Sequence, residues 1–155
     1  MAGDPGRVSV VYYGTEKKGD PNFNAGPWYV YMSQSLNALS PRASFTRSQV
    51  SDHTNHINPI CTAGLACTID PQRRNDRNLI DFLYTAVGPK GETMVTWGDT
   101  AHQIGPTPPA SASLTMFGKQ VEGASLYEDV GTLSRPRKDV LPYSRRANRV
   151  SSYWA

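Results

Sequence analysis

Val8-Ser9-Val10-Val11-Tyr12-Tyr13 is the first concentrated apolar run of the chain, and Gly14 closes it. β-Branched and aromatic side chains favour a pleated strand, where they pack against neighbours on the sheet surface. A loop rich in turn residues follows from Lys17 to Pro27, and Trp28-Tyr29-Val30-Tyr31-Met32 predicts a second strand. Apolar and polar positions alternate poorly in both runs, which predicts burial on two faces. Phe45-Thr46-Arg47-Ser48-Gln49-Val50 alternates better and predicts an outer, half-exposed strand. Further on, Leu79 to Val87 is apolar apart from Asp81 and hydroxyl residues, Gly88-Pro89-Lys90-Gly91 is a tight-turn signal, and Thr93-Met94-Val95-Thr96-Trp97 returns before Gly98-Asp99. That sequence predicts a β-hairpin. Leu79 to Ala86 taken alone also fits a short helix, but the hairpin context favours strand. Beyond a Gly/Pro/Ser-rich stretch from Gly105 to Ser113, Leu114-Thr115-Met116-Phe117 supplies another strand. No segment carries a long 3.6-residue period. The predicted class is all-β, built from antiparallel sheets.

Composition narrows this picture. A chain of 155 residues holds one domain, or one domain and a tail. With 38% hydrophobic and 19% charged residues it is neither a charged disordered polymer nor a membrane protein. No stretch approaches the ~18 consecutive apolar residues of a membrane-spanning helix, and no charged-then-apolar N-terminus marks a signal peptide. The net charge of +3 is unevenly placed. Between Arg135 and Arg149 lie six basic residues against one acid, Asp139; taking these from the chain's 16 basic and 13 acidic residues leaves 10 and 12. Basicity therefore belongs to the tail. A tail of this kind contacts nucleic acid, an acidic polymer or a membrane surface, or stays solvated or docked on its own protein; nucleic acid is not the expected partner. Pro136 and Pro142 prevent a continuous helix, and Leu126, Val140, Leu141, Tyr143 and Trp154 are too apolar for a purely solvated segment. The expected division is a β region over 1–120 and, over 121–155, a basic, aromatic arm that docks on a partner such as a neighbouring copy.

Several residue groups invite chemistry. His53, His56, Cys61 and Cys67 supply four borderline or soft ligands within fifteen residues, enough for a tetrahedral zinc, although the spacing matches no common zinc module. Asp20, Asn22 and Asn24 alternate in a loop, with Asp4 also near in sequence, as in an oxygen-ligand calcium loop, but the terminal Glu is missing. The expectation is no cofactor, with zinc or calcium as alternatives. Trp28, Tyr29, Tyr31 and Trp97 have the apolar bodies and polar tips on which sugar rings stack; the plainer reading is that they fill space between sheets. The chain has no phosphate-binding glycine loop, no His-Glu-x-x-His and no Gly-x-Ser-x-Gly, so nucleotide-dependent chemistry and serine hydrolysis have no support.

Taken in order, Ala2-Gly3-Asp4-Pro5-Gly6-Arg7-Val8, Trp28 to Ser35, Ile60-Cys61-Thr62-Ala63-Gly64-Leu65-Ala66-Cys67, Asn75 to Phe82, and Val87-Gly88-Pro89-Lys90-Gly91-Glu92 followed by Val95-Thr96-Trp97-Gly98-Asp99 resemble the C-terminal part of secreted bacterial proteins of the sialidase-like, BNR-repeat (Asp-box) superfamily. The resemblance covers roughly residues 2–100 and is best over Cys61–Phe82. It implies a β-propeller, typically of six four-stranded blades, and an extracellular location. It also points to a Cys61–Cys67 disulfide that pins a loop. A ring needs at least about four blades of roughly 40–50 residues, so this chain would supply about two, and copies or the remainder of a propeller would complete it. A strand beginning so soon after Met1 is what a boundary inside a larger parent protein would give. The family's Asp-box, Ser-x-Asp-x-Gly-x-Thr-Trp, caps its own hairpin turn with a carboxylate; the matching stretch, Ser35 to Thr46, has Asn37 in place of the Asp, lacks the Gly and carries inserted residues.

Sialidases use a Tyr nucleophile activated by a Glu, an Asp acid/base and three Arg that grip the substrate carboxylate. Arg77, Asp81, Tyr84 and Glu92 are of these types and lie near the second hairpin, although Arg77 and Asp81 also suit a structural pair. The family's first arginine and catalytic Asp belong to earlier blades, which this chain lacks. The expected function is thus a catalytically incomplete, glycan-binding sialidase-like module. The alternatives are a structural protein whose sheets and arm complete each other between copies, and an active exo-sialidase as part of a larger or oligomeric propeller.

Overall fold

The computed structural model describes residues 1–24, 26–69, 79, 83–101, 114–134 and 150–153. Its strands are β1 (Val8–Gly14), β2 (Tyr29–Ser35), β3 (Thr46–Gln49), β4 (Leu83–Val87), β5 (Thr93–Asp99), β6 (Leu114–Gln120), β7 (Gly123–Ala124), β8 (Thr132–Leu133) and β9 (Val150–Tyr153), with a 3-10 helix over Gly64–Ile69. All pairing between them is antiparallel, and they form three sheets ordered β1-β2-β3, β4-β5-β6-β9 and β7-β8. The all-β class and each strand expected from the apolar runs are present, with ends displaced by a few residues.

Register sorts the side chains onto faces. Residues directly opposite each other in an antiparallel pair point to the same side of the sheet. In the four-stranded sheet Leu83, Trp97 and Met116 form one cross-strand row, and Thr85, Val95 and Gly118 the next. These rows face Val30 and Met32 of β2, with Val50 beside them, and the six residues Val30, Met32, Val50, Val95, Trp97 and Met116 make the core. Burying side chains of this size contributes about 1.5–3 kcal/mol each. Trp97 lies so close over β6 that a Cβ at Gly118 would stand 3.0 Å from its ring. Tyr13 ties the two sheets together: its hydroxyl donates to the Gly98 carbonyl at 3.4 Å and accepts from the Gly98 N–H at 3.2 Å. Burial of this phenol pushes its pKa up to about 12, so it stays neutral.

Two turns show how the hairpins close. Between β4 and β5, Gly91 adopts φ +71°, which a glycine reaches without steric cost, and its N–H donates to the Gly88 carbonyl. Between β2 and β3, Asn37 Oδ1 accepts the Ser44 N–H at 2.9 Å and the Ser35 hydroxyl at 3.2 Å, while Asn37 Nδ2 donates to the Arg42 carbonyl at 3.4 Å. One amide thereby staples both shoulders of a ten-residue turn. Asn37→Ala is expected to lower stability by about 1 kcal/mol, and Asn37→Asp by less, because a carboxylate keeps the bonds from Ser44 and Ser35 and gives up only the long one to the Arg42 carbonyl, as read from urea midpoints.

The stretch after 120 does not begin as a detached arm. Leu126 is fully buried and Leu133 nearly so. The Leu126 N–H donates to the Gly91 carbonyl, the Asp4 N–H to the Leu126 carbonyl, and the Arg7 guanidinium to the Ser125 carbonyl. Residues 121–134 are therefore part of the body, closing over the N-terminus, and β9 adds the fourth strand beside β6. The basic stretch 135–149 lies outside the described residues.

Candidate functional site

The outer face of the three-stranded sheet carries a run of tyrosines. Tyr12 and Tyr31 are directly opposite on β1 and β2, and their rings stack with centroids 6.0 Å apart. Tyr29, two residues earlier on the same face, meets Tyr31 edge-on at 6.3 Å. The guanidinium of Arg47, on edge strand β3, lies 4.8 Å from the Tyr31 ring centre, a cation–π contact worth roughly 0.5–1 kcal/mol at an exposed site. Glu16, just beyond β1, accepts from Arg47 Nη2 at 2.8 Å and from the Tyr31 hydroxyl at 3.3 Å. Burial and the neighbouring Glu16 carboxylate both raise the Tyr31 pKa. The Arg47 and Glu16 side chains are half or more exposed, so their ion pair contributes about 0–1 kcal/mol, and water or a ligand can replace it. The Tyr12 hydroxyl bonds Ser33 at 3.1 Å, leaving Tyr12 and Tyr29 half-buried. Flat rings beside an exchangeable guanidinium can hold a sugar ring and a carboxylate together.

The four aromatics expected to form a sugar platform divide. Tyr29 and Tyr31 lie on this face. Trp97 is 1% exposed in the core, and Trp28 is nearly as buried, its indole N–H donating to the Asn58 carbonyl. Trp97 is enclosed between the two sheets and Trp28 is buried against the 55–58 loop, so both are packing residues. Tyr31 is itself 5% exposed beneath Arg47, so Tyr29 and Tyr12 are the rings of this face open to a sugar. Among the catalytic candidates, Arg77 and Asp81 lie outside the described residues. Tyr84 is 68% exposed on the far face of the four-stranded sheet. The Glu92 carboxylate is committed to its turn: it accepts the Lys90 N–H at 2.7 Å and pairs with Lys119 Nζ at 2.8 Å. Burial, the largest influence, acts to raise its pKa, but Lys119 and the backbone N–H groups outweigh it and hold the carboxyl below its usual range.

The zinc set dissolves, because Cys61 and Cys67 are joined in a disulfide with Cα atoms 5.9 Å apart. Closing so short a loop stabilises by about 2 kcal/mol or less. The calcium residues are spent on bonds to the backbone, local for Asp20 and Asn24 and long-range for Asp4. Asp20 accepts from the Asn22 backbone, Asn24 from the Gly26 N–H, and Asp4 from the Glu128 N–H. Asn22 also exchanges two bonds with Thr62, anchoring the disulfide loop. Among the described residues no group of three or more His, Cys, Asp or Glu side chains is arranged to hold a metal ion.

A second polar cluster lies where the loop after β3 crosses to the end of β5. His53 Nδ1 is 2.6 Å from Asp52 Oδ1, and His53 Nε2 is 2.5 Å from Oδ2 of the fully buried Asp99. Asn55 Nδ2 donates to the Gly98 carbonyl, and the Asn55 carbonyl accepts from the Thr100 and Ala101 N–H groups. His56 Nδ1 meets the Thr100 hydroxyl at 2.5 Å. Burial, the largest influence on His53, favours its neutral form, but its bonds to Asp52 and Asp99 and their charges prevail and raise its pKa above 6.5. Glu16, Arg47, Asp52 and Asp99 escaped the sequence reading, since each partnership joins distant segments; only the adjacency of Asp52 and His53 was visible.

The class defined by fold and surface is an all-β protein of antiparallel sheets, its first sheet presenting a tyrosine–arginine face. No protein-family model, curated protein or solved structure matches the chain.

Proposed function

We propose that this chain is a catalytically incomplete sialidase-like module of the BNR-repeat type, supplying about two blades of a propeller and binding glycans outside the cell. The observation that carries the reading is the Asn37 staple: at the place of the Asp-box carboxylate, a side-chain oxygen caps the turn of the β2–β3 hairpin. The sequential order β4-β5-β6 and a fourth strand beside it suit a blade. On this reading the glycan meets the open edge of the first sheet, where Tyr29, Arg47 and Glu16 stay accessible beside a neighbouring blade. Calorimetric titration with a sialylated trisaccharide and its asialo counterpart tests it. Weak, saturable binding is expected, with preference for the acidic sugar, and Tyr29→Ala and Arg47→Ala should each weaken it several-fold while Tyr84→Ala leaves it unchanged. Heat traces indistinguishable from dilution for both sugars would refute the reading.

A second reading is favoured by the far face of the four-stranded sheet, where Tyr84, Thr96 and Phe117 form one row and Ala86 and Met94 lie in the next. Tyr84 and Ala86 are exposed there. Such a face suits self-assembly between copies. It would make the molar mass depend on concentration and on Tyr84.

A further inference from the structure

We propose that His53 is a charge-dependent latch: as an imidazolium it fastens the loop 50–56 to the end of β5 by bonding Asp52 and Asp99 together, and as a neutral ring it holds that loop more weakly. The argument is one of donors. A protonated imidazole offers two N–H groups, one to each carboxylate, at 2.6 and 2.5 Å. A neutral imidazole offers one, and its other nitrogen turns a lone pair toward a carboxylate.

The two acids are unequal. Asp52 is 50% exposed and can turn to water, whereas Asp99 is fully buried. The Ala101 N–H serves the other Asp99 oxygen at 2.9 Å. On deprotonation the surviving N–H therefore goes to Asp99, the Asp52 bond is given up, and the remaining bond, still assisted by the Asp99 carboxylate, loses the attraction between two opposite charges. Among the described residues, the other titratable groups around the cluster are Tyr13, whose raised pKa keeps it neutral beside Asp99, Tyr29, whose hydroxyl meets Thr54 of the loop, and His56, bonded to Thr100.

The site is built to be felt by the fold. The same loop carries the Asn55 bonds to Gly98, Thr100 and Ala101, and pairs through His56 with Trp28. His53 is thus one fastening of a strap that joins the start of β2 to the end of β5. Because the histidine is held charged in the folded protein more firmly than in the unfolded chain, its stabilisation is complete below the unfolded pKa and is lost as pH rises through the folded one.

The test is an NMR titration of the His53 imidazole together with urea unfolding from about pH 5 to about pH 9, a range in which histidine changes charge, on the wild-type chain, His53→Gln and Asp52→Asn. The expected results are a His53 midpoint above the ordinary value of 6.5, a urea midpoint that falls as pH passes through it, and no such fall in His53→Gln. In Asp52→Asn the histidine midpoint should drop. A wild-type midpoint at or below the ordinary value, an equal fall in His53→Gln, or an unmoved midpoint in Asp52→Asn would each overturn the latch. The Asp52→Asn arm stands even if His53→Gln does not fold, because Asp52 is half exposed.

Discussion

Replacing Trp97 with alanine is expected to cost about 3–5 kcal/mol, the range for deleting a buried aromatic side chain. The ring is 1% exposed and lies in the row Leu83-Trp97-Met116 at the centre of the four-stranded sheet. Gly118 and Val50 lie against it, and Gly118 is held in place by the β5–β6 register, so the backbone beneath the ring cannot move in to fill the space. Against a typical total of about 5–15 kcal/mol, a loss of this size removes about a fifth of the stability at the least and most of it in a marginal fold. Trp97→Phe should cost clearly less. It keeps an aromatic body in the core and removes an indole N–H that has no hydrogen-bond partner among the described residues. Urea unfolding monitored by far-ultraviolet circular dichroism checks both, and a loss below about 1 kcal/mol for Trp97→Ala would mean that the two sheets do not pack through this residue.

The second large effect concerns a charge rather than a volume. Lys119→Met should lower stability by about 1–3 kcal/mol, because it leaves the Glu92 carboxylate almost fully buried with its cationic partner gone. The figure stays below that for a fully buried pair because the Lys119 side chain is 41% exposed. The pH dependence carries the sharper signature. With Lys119 present the Glu92 pKa is depressed, so its contribution is present above the unfolded value and is lost as pH falls through the folded one. Without Lys119 only the backbone N–H groups oppose burial, so the depression of the Glu92 pKa should shrink and the loss of stability in acid should be smaller than in wild type. The double variant Glu92→Gln, Lys119→Met should recover much of the loss. Acid limbs of equal slope in wild type and Lys119→Met would show that the pair does not set the charge of Glu92.

Much of the fold was legible because its strands are local facts. Val8 to Tyr13, Trp28 to Met32 and Thr93 to Trp97 are β-branched and aromatic, and Gly88 to Gly91 announces the hairpin between β4 and β5. The alternation Val95-Thr96-Trp97 even held the information that Trp97 shares a face with core residues, although an aromatic on a strand suits a sugar platform equally well until the opposite sheet is in place. What could not be read were the non-local partners. Leu126 is buried where Gly91 and Asp4 bond its backbone, and nothing around Val121 to Leu133 in sequence encodes that closure. His53 and Asp99 are 46 positions apart, and Glu16 and Arg47 31 apart. Two-residue strands such as β7 and β8 leave no periodic signal at all. Asn37 is the intermediate case, since its bond to Ser35 spans two positions and is the kind a short polar side chain makes near a turn, whereas its bond to the Ser44 N–H exists only once the turn is closed.

The glycan-binding claim is tested most directly by following the backbone and tyrosine-ring resonances of the whole chain during titration with a sialylated oligosaccharide. Saturable shifts are expected, confined to Glu16, Tyr29, Tyr31, Arg47 and their neighbours on the first sheet, and all of them should need several-fold more sugar in Arg47→Ala. Shifts centred on Tyr84 and Phe117, or an unchanged spectrum at saturating sugar, would contradict it.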